Sequence, residues 1–191
     1  MAFRRMDRIQ KNGEATAQEQ TVAAAMNEVA AAAEEGMKKA LTNLKITGVK
    51  ECDVNGQKVL IVAVPYKQIS TCRMVQAQLI PELEKKLDGA QVVIVAKRRA
   101  FPKVAETGRR YRAIRPNGRT LKAVNEALLD DVVFPTAIVG KSIHYDLKGG
   151  QTTHVILDQH DKNRVEDRLA AFGAAYNKLT GIRTVFEVAE H

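Results

Sequence analysis

Asn55-Gly56 separates two strand-like runs, "KITGVKECDV" and "QKVLIVAV", and no other feature restricts the folding of this chain as much. Both turn residues accept positive φ, which a two-residue type I′ turn requires, so a hairpin is expected here. Its second arm is apolar without interruption from Val59 to Val64. A run of that kind belongs to an inner strand covered on both faces, and Pro65 stops it. The chain must therefore supply apolar layers for two sides of a sheet.

Helices with one apolar face provide those layers. Residues 15–44 are rich in Ala, Glu, Gln and Lys, which favour helix. Val22, Met26 and Val29, then Met37, Leu41 and Leu44, recur at steps of three or four, and Gly36 is expected to end or bend the element between them. A helix over 67–88 carries Ile69, Cys72, Val75, Leu79, Leu83 and Leu87 on one side, with a kink or a fresh first turn expected at Pro81. Gly89 closes it, and "QVVIVAK" reads as another inner strand. Further on, "TLKAVNEALLDDVVF" places Leu121, Val124, Leu128 and Val132 together, with Thr120 as N-cap.

A second hairpin is expected in "KSIHYDLKGGQTTHVILD" around Gly149-Gly150. A helix with Val165, Leu169, Phe172, Tyr176 and Leu179 on one face follows, stopped by Gly181, before the strand "RTVFEV". The order is thus hairpin, helix, strand, repeated once. This predicts an α/β fold of two such halves, mixed sheets packed by helices, with N-terminal helices and a basic extended loop. Residues 1–14 are expected to form a flexible N-terminus, and 15–191 a single α/β domain with the loop at 97–119. With aromatics at 5% and Trp absent, Val, Leu, Ile and Ala must fill the core.

Catalytic patterns are missing. None of His144, His154, His160 and His191 has a metal-binding spacing, and no P-loop, G-x-G-x-x-G or G-x-S-x-G occurs. A two-residue turn at Gly149-Gly150 would point His144 and His154 to opposite sheet faces. Asp130 and Asp131 are adjacent on a helix, about 100° apart, and read as its solvated outer face. Cys52 and Cys72 lack C-x-x-C spacing and read as buried or half-buried thiols in a reducing compartment. No apolar run approaches the ~18 residues of a membrane span, and "MAFRRMDRIQKNG" has no apolar signal region. No cofactor, metal or small-molecule substrate is implied.

The charge is different. The net charge is +8, and residues 97–119 hold nine Lys and Arg against the single acid Glu106, so the remainder is neutral. Pro102, Gly108, Pro116 and Gly118 disfavour a regular element there. We read the segment as an extended loop that orders against phosphate. Seven of its cations are arginines, which contact phosphate bidentately and stack on bases. The candidate phosphate ligands are Lys97, Arg98, Arg99, Lys103, Arg109, Arg110, Arg112, Arg115 and Arg119. Phe101 and Tyr111 lie among them, either stacking on unpaired bases or anchoring the loop to its own domain. Arg4, Arg5, Arg8 and Lys11 form a secondary basic cluster. RNA is favoured over DNA, because no helix-turn-helix or zinc module is visible.

Three stretches also carry a family likeness: "PELEKKLDGAQVVIVAKRR" (81–99), "RTLKAVNEALLDDVVFPTAIVGKSI" (119–143) and "YNKLTGIRTVFE" (176–187). Together they resemble the family of protein seven of the eukaryotic small ribosomal subunit, in register from about Ile46 to the C-terminus. The resemblance implies a structural constituent of the cytosolic small subunit, bound to its ribosomal RNA and to neighbouring small-subunit proteins. It implies a role in maturation of that RNA in the nucleolus, no catalytic activity, no cofactor, no membrane, and an RNA contact in the basic linker. The alternative is a free RNA-binding adaptor or assembly factor that mature ribosomes do not retain.

Overall fold

The computed structural model describes residues 8–10, 14–33, 35–54, 56–101, 116–147 and 149–189. Helices α1 (Ala17–Ala32) and α2 (Glu35–Thr42) precede strands β1 (Gly48–Val54) and β2 (Gln57–Pro65), helix α3 (Ile69–Lys86) and β3 (Gln91–Lys97). Then come α4 (Leu121–Val133), the hairpin β4 (Ile138–Tyr145) and β5 (Gln151–Leu157), α5 (Lys162–Val165), α6 (Leu169–Thr180) and β6 (Arg183–Val188). The expected alternation of hairpin, helix and strand is present in both halves. Each half makes its own three-stranded mixed sheet, ordered β1-β2-β3 and β4-β5-β6. In each, the hairpin is antiparallel and the strand after the helix joins in parallel.

The first hairpin pairs Val54 with Gln57 across a two-residue connection, and Gly56 has φ +83°; Asn55 lies outside the described residues. β2 is the inner strand that its apolar run demanded. Leu60, Val62 and Val64 face one core with α1, α2 and α3. Val59 and Ile61 face a second core, shared with α4, α6 and the inner residues Val155, Leu157 and Phe186 of the other sheet. The layers are therefore helices, first sheet, helices, second sheet, and the outer face of the second sheet carries no layer among the described residues.

Several local expectations change. α1 ends at Ala32 and α2 begins at Glu35, so Gly36 lies inside the first turn of α2. α3 runs through Pro81 as one helix. The expected helix over 161–181 is interrupted by a 3-10 turn at Glu166–Arg168. Leu121 is 62% exposed, and Leu129 takes a buried place in α4 instead. Residues 8–10 are not free: Ile46 N–H donates to Arg8 O and Gln10 N–H to Ile46 O, each at 2.7 Å.

The second hairpin corrects the histidine geometry. Tyr145 pairs with Gln151, so the connection spans 146–150 rather than two residues. Asp146 N–H donates to Gly150 O at 2.8 Å and closes that longer loop. The register then places Ser142 opposite His154 and His144 opposite Thr152. His144 and His154 consequently share one face, with ring centroids 4.5 Å apart and planes at 70°. A one-residue change in pairing parity moves a side chain to the other face, and that is the origin of the difference.

Candidate nucleic-acid interface

The basic segment begins where β3 ends. β3 is an edge strand, yet it is buried on both faces, and two of its outward N–H groups are occupied. Val92 N–H donates to Glu84 Oε1 at 3.1 Å, and Ala96 N–H to Asp131 Oδ2 at 3.0 Å. Each carboxylate is in turn paired, Glu84 with Arg168 and Asp131 with both Arg73 and Arg98.

Asp131 is the centre of this arrangement. Its side chain is 0% exposed, Arg73 Nη2 lies 2.7 Å away, and both η nitrogens of Arg98 reach it. The expectation of a solvated Asp131 is overturned. Asp131 follows Val124 by seven residues, two helical turns, so it shares the buried face of α4. An acid inside an apolar stripe was the available signal, and only a partner from elsewhere in the chain can satisfy it.

Of the nine candidate phosphate ligands, four lie among the described residues. Lys97 and Arg99 are exposed, on either side of Arg98. The Arg98 side chain is only 15% exposed, and its guanidinium also lies 5.5 Å from the centre of the Tyr66 ring. Arg98 is thus committed to the fold, and its pairing turns its two neighbours toward solvent. Arg119 is exposed, at the end of the 3-10 turn Asn117–Arg119. Lys103, Arg109, Arg110, Arg112 and Arg115, with Tyr111, lie outside the described residues.

Phe101 and Arg119 meet. Phe101 N–H donates to Arg119 O at 2.9 Å, and the Arg119 guanidinium sits 5.0 Å from the centre of the Phe101 ring. Phe101 thus contacts Arg119 through both its backbone and its ring. Next to Arg119, Thr120 Oγ1 accepts from Ala123 N–H at 3.3 Å and starts α4 as expected. Phe101 thus meets Arg119 between the end of β3 and the start of α4.

The remaining candidates have other duties. Arg8 is buried, and its guanidinium donates to Asn27, to Leu41 O at 2.6 Å and to Leu44 O at 3.4 Å. It caps the carbonyl end of α2, and burial lowers its pKa. Within the secondary basic cluster, Arg8 is thus a structural residue; Arg4, Arg5 and Lys11 lie outside the described residues. Cys52 is half-buried and Cys72 buried, as expected. Burial pushes the Cys72 thiol up to about 11 and raises Cys52 as well, so neither is an activated nucleophile. His154 Nδ1 lies 3.1 Å from Glu187 Oε1, but among the described residues no three His, Cys, Asp or Glu side chains gather as a metal site. A cleft of about 600 Å³, lined by Gln18, Glu51, Lys58, Lys86 and Asp88, shares no residue with the basic segment.

Comparison with known proteins gives the family. The family model described as ribosomal protein S7e matches residues 7–188. Small ribosomal subunit protein eS7B of Saccharomyces cerevisiae is 42% identical over 80% of this chain and 80% of its own length. Small ribosomal subunit protein eS7 of Candida albicans is 42% identical over 80% of this chain and 82% of its own. The eS7 protein of Drosophila melanogaster is 37% identical over 91% of this chain and 89% of its own.

Proposed function

The chain belongs to the ribosomal protein S7e family, a family of structural ribosomal proteins rather than enzymes, and on that premise we propose that it binds small-subunit ribosomal RNA through the segment 97–119. It does so as a constituent of the cytosolic small subunit. The observation that carries this reading is the confinement of the entire +8 charge to residues 97–119, within which Phe101 and Arg119 are joined. Such a contact lowers the conformational freedom that a loop loses on binding. Lys97, Arg99, Lys103, Arg109, Arg110, Arg112, Arg115 and Arg119 are the phosphate ligands, and Arg98 positions the two residues that flank it. Tyr111 is the aromatic available for stacking on unpaired bases. We also read the chain as contributing to maturation of that RNA during nucleolar assembly.

If about six cations meet phosphates, log K for RNA falls with log salt at a slope of roughly −4 to −5. The test uses the full-length chain, titrated with small-subunit ribosomal RNA at several salt concentrations and sedimented from cells on gradients. Steep salt dependence and stable co-migration with small subunits support the proposal. A salt-insensitive association defeats the electrostatic mechanism. Recovery only with precursor particles or in the soluble pool favours an adaptor or assembly factor instead.

A further inference from the structure

The two sheets treat their edges in opposite ways. At β3, the carboxylates of Glu84 and Asp131 occupy the outward N–H groups of Val92 and Ala96. At β4, one edge of the second sheet, no side chain bonds to the strand backbone and no strand pairs along its free side among the described residues. The five residues Lys141–Tyr145 are all exposed. Ile143 is 46% and Tyr145 73% exposed, and Val139 and Leu147 close by are also exposed. A long edge with free N–H and C=O groups and apolar side chains is a template for another strand.

We propose that the free edge of β4 receives an extended strand of a neighbouring protein in the small subunit, which adds to the β4-β5-β6 sheet and covers Ile143 and Tyr145. The inference rests on the ribosomal reading above but not on the basic segment. Free backbone groups in a row select a strand, whose own groups repeat at the same spacing, over a helix. The apolar flank argues against RNA here, since phosphate brings no partner for Ile143 or Tyr145. The nearby cation Lys141 already lies 3.3 Å from Glu126 of α4.

The faces also specify the guest. Ile143 pairs with buried Thr153, so Ile143 and Tyr145 project on the helix side of the sheet, beyond the reach of the helices. Ser142 and His144 occupy the opposite face. The added strand should alternate accordingly, apolar toward the α4 side and polar away from it. The register shift between Ile138 and Gly140 limits regular pairing to the stretch after Gly140.

Amide exchange at single-residue resolution tests this, comparing the unmodified free chain with the same chain in purified small subunits. Every second amide of 141–145 should exchange on the order of 100-fold more slowly in the subunit. In parallel, a benzoylphenylalanine photo-crosslinker at position 143 or 145 of the full chain should attach to a protein in those subunits. Uniform protection with a cross-link to RNA overturns the proposal. So does attachment to a second copy of this chain, or unchanged exchange in incorporated chains. A chain absent from small subunits overturns it together with the ribosomal reading, whereas loss of RNA affinity alone leaves it intact.

Discussion

Asp131 and Arg98 form an ion pair at the point where β3 becomes the basic segment, with the acid wholly buried and the arginine nearly so. Arg73 of α3 shares the same carboxylate, and Ala96 N–H points into it. One α4 side chain thus ties together two helices, a strand end and the root of a charged loop.

Removing that acid leaves two guanidiniums and a buried N–H without their partner. Asp131→Ala should cost about 3–5 kcal/mol in a denaturant titration. Arg99→Ser, on an exposed neighbour, should stay within about 0.5 kcal/mol. Equal, small effects of both would show that the Asp131 cluster does not hold the loop root.

Phe101 and Arg119 are a measurable pair. Phe101→Ala and Arg119→Ser, singly and together, should give a coupling energy of about 0.5–1 kcal/mol. Phe101→Ala should also weaken RNA binding although it removes no charge, because the ring contact with Arg119 is lost. Strict additivity of the two changes would refute the cation–π contact.

Arg8 separates structural from RNA-binding cations. Arg8→Ala removes charged hydrogen bonds to Leu41 O and Leu44 O and should lower stability by about 2 kcal/mol. The salt slope of RNA binding should not move. A reduced slope with unchanged stability would reassign Arg8 to the RNA.

Cys72 predicts a high-pH effect. Its folded pKa of about 11 lies above the ordinary thiol value of 9.0. Between those values the unfolded chain loses the proton and the folded chain keeps it, so stability falls as pH rises through that window. Two units correspond to at most about 2.7 kcal/mol. Cys72→Ala, which removes the ionisable thiol without enlarging the side chain, should flatten this part of the stability–pH curve relative to the unmodified chain; parallel curves would contradict the burial-driven shift.

Sequence and structure divide the explanation by range. Asn55-Gly56 and the run Val59–Val64 determined the first hairpin and its inner strand, because turn chemistry and apolar continuity act over a few residues. Gly181 and Thr120 bounded their helices for the same reason, and the nine cations of 97–119 were a property of the chain alone. Tertiary structure decided the rest. Whether Arg98 faces solvent depends on Asp131, thirty-three positions away. Phe101 meets Arg119 across eighteen positions of chain. His144 met His154 because a loop at 146–150 reset the strand parity. Those outcomes depend on which distant groups arrive at one place, and local preference cannot encode an arrival set by the packing of two sheets around shared helices.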